Sequence, residues 1–188
     1  MDKCVIDLLS AVTQVNRRYF NAVGTRQDQT QYPQVTENSF SAELYHRFSN
    51  LMELNINMTY YDNLFFQFDI TKMAYGIRPD LVLHEAQENR NNQKMFVEVK
   101  TDSNADLTDD FNKLINATDN YLNFENVVMI TVNRKYGELL NLVRQHHGFF
   151  NLEDSRKDRI YFINVDTTND KPQYDIFSLR YNRKLNRN

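Results

Sequence analysis

The chain has 188 residues, of which 41% are hydrophobic and 13% aromatic, so it can bury one sizeable core and is not a disordered chain. A single cysteine excludes an intramolecular disulfide and a cysteine-rich zinc site. The net charge of −3 excludes the strongly basic composition that marks many nucleic-acid-binding domains.

Two helices are predicted in the first third of the chain. The first spans roughly residues 3–20, where apolar side chains recur at three- and four-residue intervals. Residues 21–34 lack any periodicity, which indicates a loop. Thr36 or Ser39 is placed to cap the second helix. Its apolar stripe consists of Phe40, Leu44, Phe48, Leu51 and Met52.

Three strands are predicted next. Aromatic and β-branched residues at 59–61 and 64–70 favour a strand over a helix. Residues 78–85 and 94–100 form two further strands, and the polar run 86–92 lies between them. This arrangement is typical of a hairpin with a wide polar turn.

The second half of the chain alternates helix and strand. A helical stripe covers 107–122, with Asp106 placed to cap it, and the apolar strand 126–132 should be central and parallel to a neighbour. A helix at 138–147 closed by Gly148, a buried strand at 159–165 and a final strand at 174–179 follow. The order predicts an α/β fold in which helices cover both faces of a mixed sheet.

One domain of residues 1–188 is therefore expected. It has an N-terminal helix and loop (1–35), a core (36–135) and a C-terminal part (136–188) that ends in a basic tail. The last nine residues hold four cations and no acid, so the tail could touch phosphates or could simply be a solvated terminus. Since there is neither a secretion signal nor an apolar run of about 18 residues, we expect a cytoplasmic protein without a membrane partner.

The hairpin carries the residues that suggest chemistry. Because side chains alternate along a strand, Glu98 and Lys100 share one face while Met95, Val97 and Val99 share the other. If the hairpin is symmetric about residue 89, Asp80 lies directly opposite Glu98. Opposed like charges are destabilising, so the pair needs a cation, and a hard divalent ion with oxygen ligands suits it.

These residues resemble a known family. Arg-Pro-Asp80 on one strand and Glu98-Val-Lys100 on the next are similar to the motif of the PD-(D/E)XK, or restriction-endonuclease-like, nucleases. In that family a helical glutamate precedes the hairpin, and Glu43 is the matching position. The resemblance covers roughly residues 36–135 and implies an α-β-β-β-α-β core order.

The resemblance implies hydrolysis of phosphodiester bonds, with DNA favoured over RNA as the partner. Asp80, Glu98 and the Val99 carbonyl would hold Mg²⁺, for which Mn²⁺ is a substitute, and Glu43 would hold a second ion or a water. Lys100 would orient or help to deprotonate the attacking water. The sequence does not decide whether the chain forms a homodimer. The alternatives are a surface ion cluster at these positions and a catalytically inactive nuclease-like module that binds nucleic acid or serves assembly.

Other polar and aromatic residues near the motif have less specific interpretations. His84 shares the face of Asp80 and is interpreted as a hydrogen-bonded sheet histidine. Lys113 falls off the apolar stripe of its helix, which favours a solvated side chain and leaves a phosphate contact open. The cluster Phe65, Phe66 and Phe68 is interpreted as core rather than as a base-stacking surface.

Overall fold

A computed structural model describes residues 1–20, 23–25, 27–29, 31–33, 37–54, 57–68, 77–85, 92–169 and 171–181. Within these ranges the helices are α1 (Lys3–Gln14), α2 (Glu37–Met52), α3 (Met58–Tyr61), α4 (Thr108–Ala117), α5 (Tyr136–Gln145), α6 (His147–Phe150) and α7 (Asp154–Lys157), with a 3-10 helix at Arg17–Tyr19. The strands are β1 (Val23–Thr25), β2 (Gln31–Pro33), β3 (Leu64–Phe68), β4 (Leu81–Glu85), β5 (Gln93–Lys100), β6 (Asn126–Val132), β7 (Ile160–Asp166) and β8 (Gln173–Ser178).

The described part of the chain forms an α/β fold around a six-stranded mixed sheet in the order β3-β4-β5-β6-β7-β8. β3, β4 and β5 pair antiparallel, β5, β6 and β7 pair parallel, and β8 returns antiparallel to β7. Parallel neighbours need crossover connections, which α4 supplies between β5 and β6 and α5 to α7 supply between β6 and β7. β6 has its predicted bounds and is central and parallel, as expected.

Each face of the sheet has its own apolar core. On one face α1 and α2 pack against Leu81, Met95, Val97 and neighbouring strand residues. On the other, α4, α5 and α6 pack against Val82, Phe96, Phe162 and neighbouring strand residues. The predicted alternation along β5 is therefore confirmed, and the sheet lies between two helical layers.

Several predicted elements differ from the observed ones. The stretch 59–61 lies in helix α3 instead of a strand, since Tyr61 Oη donates to Asp7 at 2.7 Å and Tyr60 Oη to Asp2 at 2.5 Å. These hydrogen bonds to α1 outweigh the β-propensity of tyrosine. The predicted loop 21–34 contains β1 and β2, which pair antiparallel.

Two predicted helices end earlier than expected. α1 stops at Gln14 because the Asn16 side chain accepts from the Arg18 N–H and starts the separate 3-10 helix. α4 stops at Ala117, where Thr118 Oγ1 and Arg156 Nη2 both donate to the Ile115 carbonyl, at 2.8 and 2.6 Å. These donors satisfy a helix-end carbonyl that a further turn would have used.

Gly148 was predicted to close a helix, but it lies inside α6. A Cβ at this position would lie 2.6 Å from Ile115 Cδ1, so the glycine permits close packing of α6 on α4. The predicted cap Thr36, most of the polar turn 86–92, residues 69–70 and the basic tail beyond residue 181 lie outside the described residues. Among those described, no helix is long and apolar enough to cross a membrane.

Candidate functional site

The register of the β4–β5 hairpin brings Asp80 to Glu98. Leu81 pairs with Val97, Val82 with Phe96 and Leu83 with Met95, which is the predicted symmetric register. Continued by one residue, it sets Asp80 opposite Glu98. The Asp80 carboxylate accepts from the Val99 N–H at 2.7 Å, which fixes the side chain beside β5. A bulge between Leu83 and His84 shifts the pairing only at the far end.

Both carboxyl groups favour the protonated form more than ordinary carboxyl groups do. Burial raises the pKa of Asp80 to about 6, against the opposing effect of the Val99 hydrogen bond. Burial and the neighbouring charge of Asp80 raise the pKa of Glu98 to about 8. Glu98 is only 3% exposed, and its buried Oε2 has no hydrogen-bond partner among the described residues. Glu98 is therefore a buried acid whose charge is not fully compensated, and the half-buried Asp80 lies beside it.

Helix α4 supplies a cation and a third acid. Lys113 Nζ donates to Glu98 Oε1 through a short contact and to Asp110 Oδ1 at 3.0 Å. The prediction of a solvated Lys113 is thus wrong, because the helix lies across the sheet face that carries Glu98. Burial opposes the charged form of Lys113, but the bond to Glu98 holds its pKa above the usual value.

Asp110 was not singled out by the sequence, although a signal existed. On a helical wheel it falls about 40° from Leu114 and about 20° from Ala117, inside the apolar stripe. An acid in such a place is either buried or at the edge of a core, and Asp110 is 5% exposed. Its carboxylate joins the two lysines of the site, because it also lies 3.5 Å from Lys100 Nζ.

Lys100 connects the two helical layers. Its Nζ lies 3.2 Å from the Glu37 carboxylate at the start of α2 and 3.5 Å from Asp110 on α4. Burial works against its charge, but Asp110 and Glu37 raise the pKa of Lys100 above the ordinary value. Lys100 is therefore a fixed ammonium at neutral pH.

Glu43, the position matched by resemblance, is joined to another partner. Its carboxylate pairs with Arg47 at 2.6 Å, one turn along the same helix. On the helical wheel Glu37 and Glu43 both lie about 60° from Phe40, but on opposite sides. Among the described contacts it is Glu37 that reaches the motif, through Lys100, and no sequence pattern distinguishes it from Glu43.

The remaining predicted residues are placed clearly. His84 is 2% exposed and its ring nitrogens lie 2.5 Å from Gln67 Oε1 and 2.6 Å from the Glu85 carbonyl, which confirms a hydrogen-bonded sheet histidine. Of the three phenylalanines interpreted as core, Phe66 is buried, whereas Phe65 and Phe68 are exposed. In the described part of the chain β3 is an edge strand, with a neighbouring strand, β4, on one side only.

A polar row extends the site along the carboxyl ends of the parallel strands. Lys100 pairs with Thr131, and Thr131 with Asn164, so the three share one level of the sheet. Thr131 Oγ1 donates to Asn164 Oδ1 at 2.8 Å, and Asn164 Nδ2 donates to the Arg134 carbonyl at 2.9 Å. The carboxyl ends of strands are where open α/β sheets bind ligands.

The donor set suits a hard divalent cation. Asp80 and Glu98 offer oxygen ligands, and the unpartnered Glu98 Oε2 is a buried acceptor that a cation would satisfy. Among the described residues no three acidic, imidazole or thiol groups form a ready-made cage. The lysines explain this, since Lys113 lies between Glu98 and Asp110, and Lys100 between Asp110 and Glu37. Magnesium, which keeps several waters, does not need a closed cage.

The chain was compared with known proteins at three levels. No family model, no curated protein and no solved structure matches it.

Replacement of Glu98 by Gln should stabilise the metal-free protein at alkaline pH. The raised pKa of Glu98 means that its contribution to stability is complete below about pH 4.5 and is lost as the pH rises through about 8. Glutamine does not ionise, so the Glu98→Gln variant should escape a loss of about 5 kcal/mol, which is the free energy equivalent to the rise in the pKa of Glu98 from 4.5 to about 8. Denaturant unfolding in chelator at about pH 5 and about pH 9 measures the difference.

The matched control is Glu125→Gln, since Glu125 is an exposed acid paired with Lys94. This variant should change stability little at either pH. If Glu98→Gln were no more stable than the parent at alkaline pH, the account of an uncompensated buried acid would be wrong.

Proposed function

We propose that this chain is a metal-dependent nuclease that hydrolyses phosphodiester bonds of DNA. The observation that carries the proposal is the pairing of half-buried Asp80 with buried Glu98. One oxygen of Glu98 has no hydrogen-bond partner among the described residues, and Lys100 lies two residues further along the strand. An ion cluster on the surface would keep its acids in water, because burying a carboxylate costs free energy that an exposed carboxylate does not lose.

Each residue of the pair has a distinct part in the proposed site. Asp80, Glu98 and the Val99 carbonyl would hold Mg²⁺ or Mn²⁺, and the Val99 N–H keeps the Asp80 carboxylate oriented. A bound ion would polarise a phosphate oxygen and lower the pKa of a water. Lys100, with its raised pKa, would orient the attacking water and stabilise negative charge on the phosphate rather than accept a proton.

The order of elements supports the same proposal. Helix α2, strands β3 to β5, helix α4 and strand β6 follow one another along the chain, with the short α3 inserted after α2. This succession is compatible with the α-β-β-β-α-β order that the resemblance implies. In that arrangement the helical acid is Glu37 rather than Glu43, because Glu37 contacts Lys100 at 3.2 Å. Fold likeness alone does not establish activity, so the test must be chemical.

The direct test is cleavage of labelled single- and double-stranded DNA by the purified protein. Activity should require Mg²⁺ or Mn²⁺, stop on addition of chelator and return with excess ion. RNA of the same sequence serves as the competing substrate. Absence of cleavage under all these conditions would count against the proposal.

A second candidate is a nuclease-like module that binds or assembles without catalysis. It is favoured by one observation: Lys113 and Lys100 already offset part of the negative charge of the cluster, so the network can persist without an ion. Titration with Mn²⁺ separates the two, since a non-catalytic module would bind no ion at Asp80 and Glu98.

The two helical acids make a matched pair of variants. Glu37→Ala should lower cleavage roughly ten- to a hundredfold, because Lys100 loses the nearer of the two acids that orient it. Glu43→Ala should leave cleavage close to the parent, since it breaks only an i,i+4 pair with Arg47. Steady-state cleavage rates of the two variants are the measurement. A larger loss in Glu43→Ala than in Glu37→Ala would show that Glu43 is the helical acid of the site.

A further inference from the structure

A cationic cavity lies on the helical layer that covers Glu98, away from the carboxylates. It encloses about 480 Å³ between α5, α6, α7 and the end of β8. Its walls include Arg144, Lys157 and Arg180, against the single acid Asp154. Cations therefore outnumber acids in this wall, in a chain whose net charge is −3.

The aromatic ring at the cavity mouth is the second unusual feature. Phe150 is 78% exposed, whereas its neighbour Phe149 is 2% exposed and packs in the core. Because Phe149 anchors α6, Phe150 must point outward, and Lys157 Nζ donates to the Phe150 carbonyl at 3.3 Å. The exposed ring is therefore held by the fold and is not a frayed end. Tyr181, 59% exposed, follows Arg180 along the same edge.

The cations of the cavity differ in how they are held. Arg180 is fixed by Asp158 at 2.5 Å and lies 4.0 Å from Asp154, and Lys157 lies 3.7 Å from the same Asp154. Among the described residues, no ion pair or side-chain hydrogen bond engages Arg144, which is exposed at the last turn of α5. The sequence then adds Arg183, Lys184 and Arg187 directly after this edge.

The sheet register relates this cavity to the acidic pair. Glu98 is level with Met129, Phe162 and Phe177 across β6, β7 and β8. Leu179, which lines the cavity, lies two residues beyond Phe177, so it is roughly 14 Å across the strands and about 7 Å along them from Glu98. Both features lie on the same face of the sheet. Helices α4, α5 and α6 pack on this face between the two features, so a bound strand would reach the acids by passing over the outer surface of these helices.

From this combination we propose that the cavity of Arg144, Phe150, Lys157 and Arg180 binds single-stranded nucleic acid, with phosphates on the cations and a base stacked on Phe150. Exposed aromatics interleaved with cations suit single strands, since a duplex keeps its bases stacked inside. The inference rests on the proposed function in one respect, namely that the bound strand would continue to Asp80 and Glu98. It deepens that function by naming the form of the substrate.

The test measures binding without catalysis. A fluorescent oligothymidylate is titrated with the full chain in chelator at low salt, and anisotropy gives the dissociation constant. Phe150→Ala should weaken binding roughly 5- to 100-fold, the effect of losing one base stack. Arg144→Ala should also weaken it and reduce the slope of log affinity against log salt by about 0.7, the value for one phosphate contact to a single strand.

Matched controls remove the same residue types from the opposite layer. Arg18→Ala and Tyr45→Ala change an exposed cation and a partly exposed aromatic on the side of α1 and α2. Both should bind as the parent does, and circular dichroism checks that all variants are folded. The proposal is overturned if the parent does not bind the oligonucleotide, if Phe150→Ala binds equally well, or if the controls lose as much.

This result is separable from that of the cleavage assay. Binding that depends on Phe150 in a protein that never cleaves DNA would retain the cavity and reject the nuclease. If the protein cleaves DNA but substitution of Phe150 or Arg144 does not change its affinity for the strand, the nuclease is retained and the cavity is rejected as the binding site.

Discussion

Asp80→Ala should lower the rate of DNA cleavage at least about a thousandfold, equivalent to about 4 kcal/mol of transition-state stabilisation. The variant removes one of the two converging carboxylates and leaves the Val99 N–H without its acceptor at 2.7 Å. Single-turnover cleavage at saturating Mg²⁺ measures the chemical step without a contribution from product release.

Asp80→Asn is the control that separates chemistry from folding. The amide oxygen of asparagine can still accept from the Val99 N–H, so the hairpin keeps this hydrogen bond, but the ligand charge is gone. We expect both variants to lose activity and the Asn variant to unfold at a midpoint no lower than that of the parent, since burial disfavours the charge that it removes. If Asp80→Asn cleaved DNA at the rate of the parent, Asp80 would not be part of the catalytic site.

The largest effect on stability is expected at Phe162. It is fully buried on β7, stacks on Phe177 with centroids 4.9 Å apart, and meets Phe111 and Phe149 edge to face. Phe162→Ala should therefore lower the free energy of unfolding by about 3–5 kcal/mol, which is a large part of the stability of an ordinary domain. Chemical denaturation gives the value directly.

Phe150→Ala is the matched substitution at an exposed ring, and it should change stability by no more than about 0.5 kcal/mol. Because Phe111 follows Asp110 in α4, the Phe162 cluster also supports the helix that carries Asp110 and Lys113. Equal losses in the two variants would mean that the helices do not pack on the sheet as described here.

The sequence was sufficient to predict the hairpin and its register. Alternation along β5 separates Glu98 and Lys100 from Val97 and Val99, and a symmetric turn places Asp80 opposite Glu98. These features depend on neighbours within one hairpin, where the strand period and the turn length leave few choices. The core strands β6 and β7 were equally clear, because continuous apolar runs have few alternatives.

Contacts between distant elements were harder to predict. Periodicity identifies the helix that contains Glu37 and Glu43, but both flank Phe40 by about 60°. The choice between them depends on where the helix begins relative to the sheet. Lys113 was assigned to solvent because a helical wheel shows the apolar stripe and not the acid on the facing strand. Its contact with Glu98 depends on how α4 lies across β5, which no local pattern encodes.

The most direct test of a metal site at the carboxylate pair is calorimetric titration of the protein with Mn²⁺. The account predicts ion binding that Asp80→Asn and Glu98→Gln both lose and that Glu43→Ala and Glu125→Gln keep. Binding should also tighten as the pH rises through about 8, since the ion competes with the proton on Glu98. A parent protein that binds no Mn²⁺, or binding that survives in both Asp80→Asn and Glu98→Gln, would contradict the account.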